Sequence, residues 1–137
     1  MLKYMLDTDI CIYVIKNRPA VVGSIFNRND GLIAISAITL SELSHGVEKS
    51  SNIKKNRDIV EDFVSRLEVL DYSPKASAHY GDIRSDLERR GEVIGVNDLH
   101  IAAHCRSEGL VLVTNNTREF KRVDGLRIEN WVEDSLA

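Results

Sequence analysis

Apolar residues along this chain follow two rhythms: short unbroken runs, and longer stretches spaced at helical intervals. Lys3 to Leu6 reads as a strand that stops abruptly at Asp7, followed by a helix from Ile10 to Lys16 capped by Thr8 or Asp9. Pro19 opens a second helix at its first turn, where a residue without an N–H is tolerated. Asp30-Gly31 marks a turn, and Leu32 to Ser36 reads as a second buried strand. Thr39 is expected to cap the next helix, with Glu42 at capping-box spacing. Asn56 to Leu67 carries Ile59, Val60, Phe63, Val64 and Leu67 on one helical face, and Glu68 to Tyr72 is a third strand.

Pro74 begins a long helix that Gly91 stops. A loop with Gly95 leads to Asn97-Asp98 and a helix from about Leu99 to Ser107. After Gly109, Leu110 to Thr114 is the clearest buried strand. Asn115 and Asn116 turn into a short helix around Glu119-Phe120, Leu126 to Glu129 adds an edge strand, and Trp131 docks the C-terminus on the core. Strands alternating with helices predict an α/β fold, a central mostly parallel sheet with helices on both faces. The expected organisation is a single domain over residues 1–137, without repeats or low-complexity segments.

Composition narrows the class. A content of 43% hydrophobic residues supports one real core, and no apolar run approaches the ~20 residues of a membrane span. The apolar stretch before Asp7 is too short for a signal peptide. Cys11 and Cys105 lie far apart within helical patterns, which argues for packing and a reducing cytoplasm, not for a disulfide framework. A net charge of −3 argues against a protein that coats nucleic acid through phosphate contacts. It leaves room for a nuclease whose acids are concentrated at one metal site.

In open parallel sheets, ligands bind beyond the carboxyl ends of the strands. Those ends carry Asp7, Thr8 and Asp9 after the first strand, Ser36 after the second, and Thr114, Asn115 and Asn116 after the last strong one. Glu42 lies one turn inside the following helix, and Asp98 opens the helix that feeds the last strong strand. Three carboxylates from separate segments can therefore converge. Like charges so gathered need a cation, and Mg²⁺, with its preference for oxygen ligands, suits them and suits phosphodiester hydrolysis. Each acid also has a purely structural reading: Asp7 as a helix cap, Glu42 as the capping partner of Thr39, Asp98 as a first-turn acid favoured by the helix dipole. Thr114 and Ser36 are either ordinary strand-end residues or hydrogen-bond partners of metal ligands. The functional case rests on the set.

The segments MLDTDICIY, ISAITLSELSHGVEKS, GVNDLHIAAHC and LVLVTNNTREFKRV, in that order and with the closing LRIENW, resemble the VapC toxins of type II toxin–antitoxin modules, which are PIN-domain ribonucleases. The resemblance spans essentially the whole chain. It implies a PIN fold and endoribonuclease activity dependent on Mg²⁺ or Mn²⁺. It also implies a VapB antitoxin that blocks the site and, with a toxin homodimer, represses the operon at its operator DNA. In the enteric-type members the implied substrate is tRNA, cut in the anticodon stem-loop, with initiator tRNA favoured. Residue by residue, Asp7 and Asp98 match the principal metal ligands and Glu42 the acid of the helix after strand two. The fourth acidic position departs from the pattern: Asn116 fills it without charge, and Glu119 is the nearest carboxylate that compensates. Asp9 stands where the family usually has Asn. Thr8, Ser36 and Thr114 are expected to orient carboxylates.

Asp7-Thr8-Asp9 also resembles the D-x-D opening of haloacid-dehalogenase-type phosphatases, with Ser36 as their second motif, but no lysine precedes a late acidic pair and no cap domain fits. A catalytically degenerate PIN module acting only through its partner is the non-enzymatic alternative. His100 and His104 stand at zinc-binding spacing without the Glu of H-E-x-x-H, and helix packing is the expectation for His104-Cys105. Cys11 is expected in the core. Arg84, Arg89 and Arg90 form one basic group and Arg118, Lys121 and Arg122 another; the second is expected nearer the site and to RNA phosphates.

Overall fold

The fold follows from a chain whose three central strands are apolar on both sides and must be covered on both faces. The structure, a computed structural model, describes residues 1–134. Five strands, β1 (Tyr4–Leu6), β2 (Ile33–Ser36), β3 (Glu68–Leu70), β4 (Val111–Val113) and β5 (Arg127–Glu129), form one all-parallel sheet in the order β3-β2-β1-β4-β5. Eight helices are present among the described residues: α1 (Thr8–Lys16), α2 (Ala20–Arg28), α3 (Ala37–Glu48), α4 (Ile53–Val64), α5 (Pro74–Arg90), α6 (Val96–Ser107), α7 (Thr117–Phe120) and α8 (Trp131–Asp134). None is long and apolar enough to cross a membrane.

Side chains alternate across the sheet, and each face builds its own core. Tyr4 and Leu6 of β1 join Ile10, Val22, Phe26, Phe63 and Trp131 on one face. Met5, between them, joins Leu87, Leu99, Ala102, Leu112 and Phe120 on the other, beneath α5 and α6. Trp131 is fully buried, edge-on to Tyr4 with ring centres 5.3 Å apart, and its indole N–H donates to Glu129 at 2.9 Å. The expected docking of the C-terminal segment is therefore present.

The chain steps from β1 to β2 and β3 on one side, then crosses to β4 and β5 on the other. β1 is the strand where that direction reverses, and the crevice at its carboxyl end is where such sheets bind ligands.

Several element bounds differ from the sequence-based expectation, and at α1, α3 and α4 the reason is that another side chain reaches the free N–H groups first. Asp7, not Thr8 or Asp9, occupies the cap of α1 and accepts from Thr8 N–H at 2.7 Å. Pro19 is the cap position of α2, which begins at Ala20. Ser36 caps α3 by accepting from Ile38 N–H at 3.0 Å, so Thr39 is already inside the helix and makes no capping box with Glu42. Asn52 caps α4 through Lys55 N–H at 3.2 Å, starting it at Ile53 instead of Asn56. α6 begins at Val96, which places Asp98 within its first turn. β3 stops at Leu70, short of the expected Tyr72.

Candidate active site

Register places the first two site residues side by side. Leu6 pairs with Val113 across β1 and β4, so the residues that follow, Asp7 and Thr114, leave the sheet together. Asp7 N–H donates to Val113 O at 2.9 Å. The Asp7 carboxylate is only 4% exposed; Oδ1 accepts from Thr8 N–H at 2.7 Å and Oδ2 from the Thr114 hydroxyl at 2.8 Å. Burial disfavours its charged form and pushes its pKa up to about 6; Thr114 and the Thr8 N–H oppose the shift, while Asp9 and Glu42 add to it.

Asp98, half-buried at the start of α6, is pushed up to about 7. Burial is the main cause, and the charges that act on it are Asp7, then Glu119, Glu42 and Asp9. Asp7, Asp9, Glu42, Asp98 and Glu119 thus share one electrostatic neighbourhood, although they come from α1, α3, α6, α7 and the end of β1. Among the described residues no three Asp, Glu, His or Cys side chains close into a ready-made metal cage. The arrangement is an open one. It fits a hard divalent cation held by one or two carboxylates and water, which their mutual repulsion favours.

Around the fourth acidic position, the residues after β4 are hydrogen-bonded to one another. Thr114 Oγ1 accepts from Asn116 N–H at 2.9 Å, and the Asn116 side-chain amide donates to Glu119 Oε2 at 3.0 Å. Asn116 does not stand in for a carboxylate; it holds one. Asp9 is exposed on the first turn of α1 and contributes charge to Asp7 and Asp98. Glu42 accepts from the Thr8 hydroxyl at 2.6 Å.

Ser36 corrects an expectation. Its hydroxyl caps α3 and meets His104 Nδ1 at 2.7 Å, so it orients a helix and a histidine, not a carboxylate. His104 is fully buried, with Tyr72 edge-on at 5.4 Å, in keeping with packing. His100 pairs with the Tyr72 hydroxyl at 2.8 Å and stacks on Tyr80 at 4.2 Å, so the two histidines do not share a metal. Cys11 is buried and its thiol is pushed well above the usual range by burial and then by Asp7, which removes it as a nucleophile.

The two basic groups touch where Arg90 donates to the Arg122 carbonyl, but their other partners differ. Arg90 pairs with Asp86 at 2.8 Å, and Arg84 donates to the Tyr80 hydroxyl at 2.7 Å. Arg122 donates to the backbone carbonyls of Glu92 and Val93 at 3.5 and 3.3 Å and so clasps the loop before α6. Arg118 and Lys121 are exposed and make no ion pair among the described residues. What sequence reasoning missed is two contacts: that of Thr39, expected only as a cap, with Thr8, and the hydrogen bond between Asn116 and Glu119, which were named as separate candidates for one position.

Residues 4–126 match the family model described as the PIN domain. The chain is 58% identical over 132 residues to "Ribonuclease VapC2" of Haemophilus influenzae, covering 96% of this chain and all of that one. It is 55% identical over 131 residues to "tRNA(fMet)-specific endonuclease VapC" of Shigella flexneri, covering 96% and 99%. A crystal structure of DNA-bound VapBC from Salmonella typhimurium superposes with a TM-score of 0.92 at 53% identity, covering 96% of this chain and 99% of that one. VapBC2 from Rickettsia felis, bound to a DNA fragment from its promoter, gives 0.90 at 43% identity, covering 95% and 99%.

Proposed function

The chain belongs to the PIN-domain family, and on that premise we propose that it is the ribonuclease toxin of a VapBC-type toxin–antitoxin module. The observation that carries the reading is the pair Asp7 and Asp98, two carboxylates from different segments whose ionisation is opposed by burial and by neighbouring acids, Asp9 and Glu42 acting on Asp7 and Asp7 itself on Asp98. Such a pair has a use for a cation. The proposed reaction is attack of water on an RNA phosphodiester, and the proposed substrate is tRNA, cut in the anticodon stem-loop, with initiator tRNA favoured. The relative from Shigella flexneri whose name specifies tRNA(fMet) supports that choice.

In this reading Asp7 and Asp98 hold the principal ion, with Mg²⁺ proposed and Mn²⁺ as a substitute. When bound, the ion supplies an activated water and neutralises charge on the phosphoryl group. Thr114 and the Thr8 N–H fix both oxygens of Asp7, so its remaining lone pairs keep one orientation. Glu42 and Glu119 complete the acidic rim, Glu119 held by Asn116. Arg118 and Lys121 supply local positive charge for RNA phosphates that the acidic whole lacks.

The VapBC complexes with DNA support a VapB-type antitoxin as partner and operator DNA reached through that complex; a toxin homodimer within it is proposed with them. A basic antitoxin side chain entering the acidic pocket would inhibit by displacing the ion. The proposed place of action is the cytoplasm, where tRNA is found. The phosphatase alternative is set aside by the PIN match over residues 4–126. The degenerate-module alternative is separated by experiment. Purified chain with Mg²⁺ should cut initiator tRNA, and excess EDTA or Asp98→Asn should abolish cutting. Intact tRNA, or undiminished cutting in EDTA, would overturn the reading.

A further inference from the structure

Thr39 is fully buried in the first turns of α3, three residues before Glu42 and on the same helical side. It is not a cap, because Ser36 fills that position. Its Oγ1 lies 3.2 Å from Thr8 Oγ1, which in turn lies 2.6 Å from Glu42 Oε1. Thr8 has one hydroxyl proton, and an ionised carboxylate only accepts. The proton of Thr8 therefore lies on the short contact to Glu42, and Thr39 donates to Thr8. The same residue, Thr8, gives its backbone N–H to Asp7 Oδ1 at 2.7 Å. One threonine thus grips both carboxylates, and a second, buried threonine fixes the rotamer of the first.

We propose that Thr39 is a positioning residue that acts through the Thr8 hydroxyl to hold the Glu42 carboxylate beside Asp7. The relay runs from the Thr39 hydroxyl to the Thr8 hydroxyl to Glu42, and it ties α3 to the start of α1. A buried hydroxyl needs a partner, and Thr8 is the partner the structure provides for Thr39. The catalytic importance of Glu42 rests on the proposed function; the geometry of the relay does not.

The first test uses the metal-free chain carrying ¹³C-labelled glutamate, with side-chain couplings reporting the rotamer of Glu42. One rotamer is expected in the native chain, averaging over several in Thr39→Val and in Thr8→Val, and a return to one in Thr39→Ser. An unchanged single rotamer in both valine variants would overturn the proposal, as would averaging that Thr39→Ser fails to reverse. The second test is cleavage of initiator tRNA with Mg²⁺. Thr39→Val should lower kcat roughly ten- to a hundredfold, the range for partners of site carboxylates, with KM nearly unchanged. In a Glu42→Gln background the same substitution should add nothing, whereas a fully additive loss would overturn the relay. Full activity of Glu42→Gln alone would remove Glu42 from the proposed function and leave the rotamer test to decide Thr39 by itself.

Discussion

Thr114 donates its hydroxyl proton to Asp7 Oδ2 at 2.8 Å, joining two residues 107 positions apart in the chain. The contact is buried, and it opposes the effect of burial on Asp7. It exists because β4 lies against β1 in parallel register, with both strands ending at the same level.

Removing that donor should therefore weaken the charged form of Asp7. In Thr114→Val we expect the pKa of Asp7 to rise by about one unit above its present value, the equivalent of one charge-assisted hydrogen bond. Carboxyl ¹³C titration of the metal-free protein measures this. Mn²⁺ affinity at pH 7 should fall roughly tenfold, read by calorimetry, and Thr114→Ser should restore it.

Asp98→Asn should separate activity from stability. Cleavage should drop at least a hundredfold, because a principal ion-binding carboxylate is gone. The metal-free variant should nevertheless be more stable than the parent at pH 8, by about 1–2 kcal/mol after allowance for solvent screening of this half-buried group. Thermal melts check the gain, which should shrink as pH falls through about 7 and vanish only below 3.8, where Asp98 of the parent is protonated in the folded and the unfolded chain alike.

The raised carboxyl groups also set a pH profile. A carboxyl that binds its proton more tightly when folded stabilises the protein below its unfolded value of 3.8, and that contribution is lost as pH rises through the folded value. Asp7 and Asp98 should make metal-free protein lose stability as pH climbs through about 6 and about 7. Denaturant melts between pH 5 and 8 should show the decline, and saturating Mg²⁺ should flatten it. A rise in metal-free stability over this window would contradict the assignment.

The basic residues after β4 should divide by role. Arg118→Glu with Lys121→Glu should raise KM for tRNA several-fold and reduce the salt dependence of binding, with an unchanged melting temperature. Arg122→Ala should lower the melting temperature instead, because it releases the carbonyls of Glu92 and Val93.

Much of the architecture was legible in the order of residues. The apolar runs ending at Leu6, Ser36 and Thr114 have no polar face, so they predict buried parallel strands, and the helical spacing between them predicts the covering layers. Helix starts were less legible, since a cap is decided by which of several neighbouring oxygens reaches the free N–H groups. Asp7 and Ser36 prevail over Thr8 and Thr39 because each is the last residue before its helix turns.

The acids were legible as well, because Asp7 and Asp98 interrupt or follow apolar segments where a charge needs a reason. Their partners were not. Glu42 and Thr39 look like a local capping box in sequence, yet both meet Thr8, more than thirty positions away. Asn116 looks like a vacant ligand position, yet its amide holds Glu119. The chain by itself determined which segments become strands and which residue types gather at their ends, because periodicity and burial act locally. Only the tertiary structure decided which oxygen meets which donor, because β1 must lie between β2 and β4 before the Thr114 hydroxyl reaches Asp7 and the Thr8 hydroxyl reaches Glu42 and Thr39.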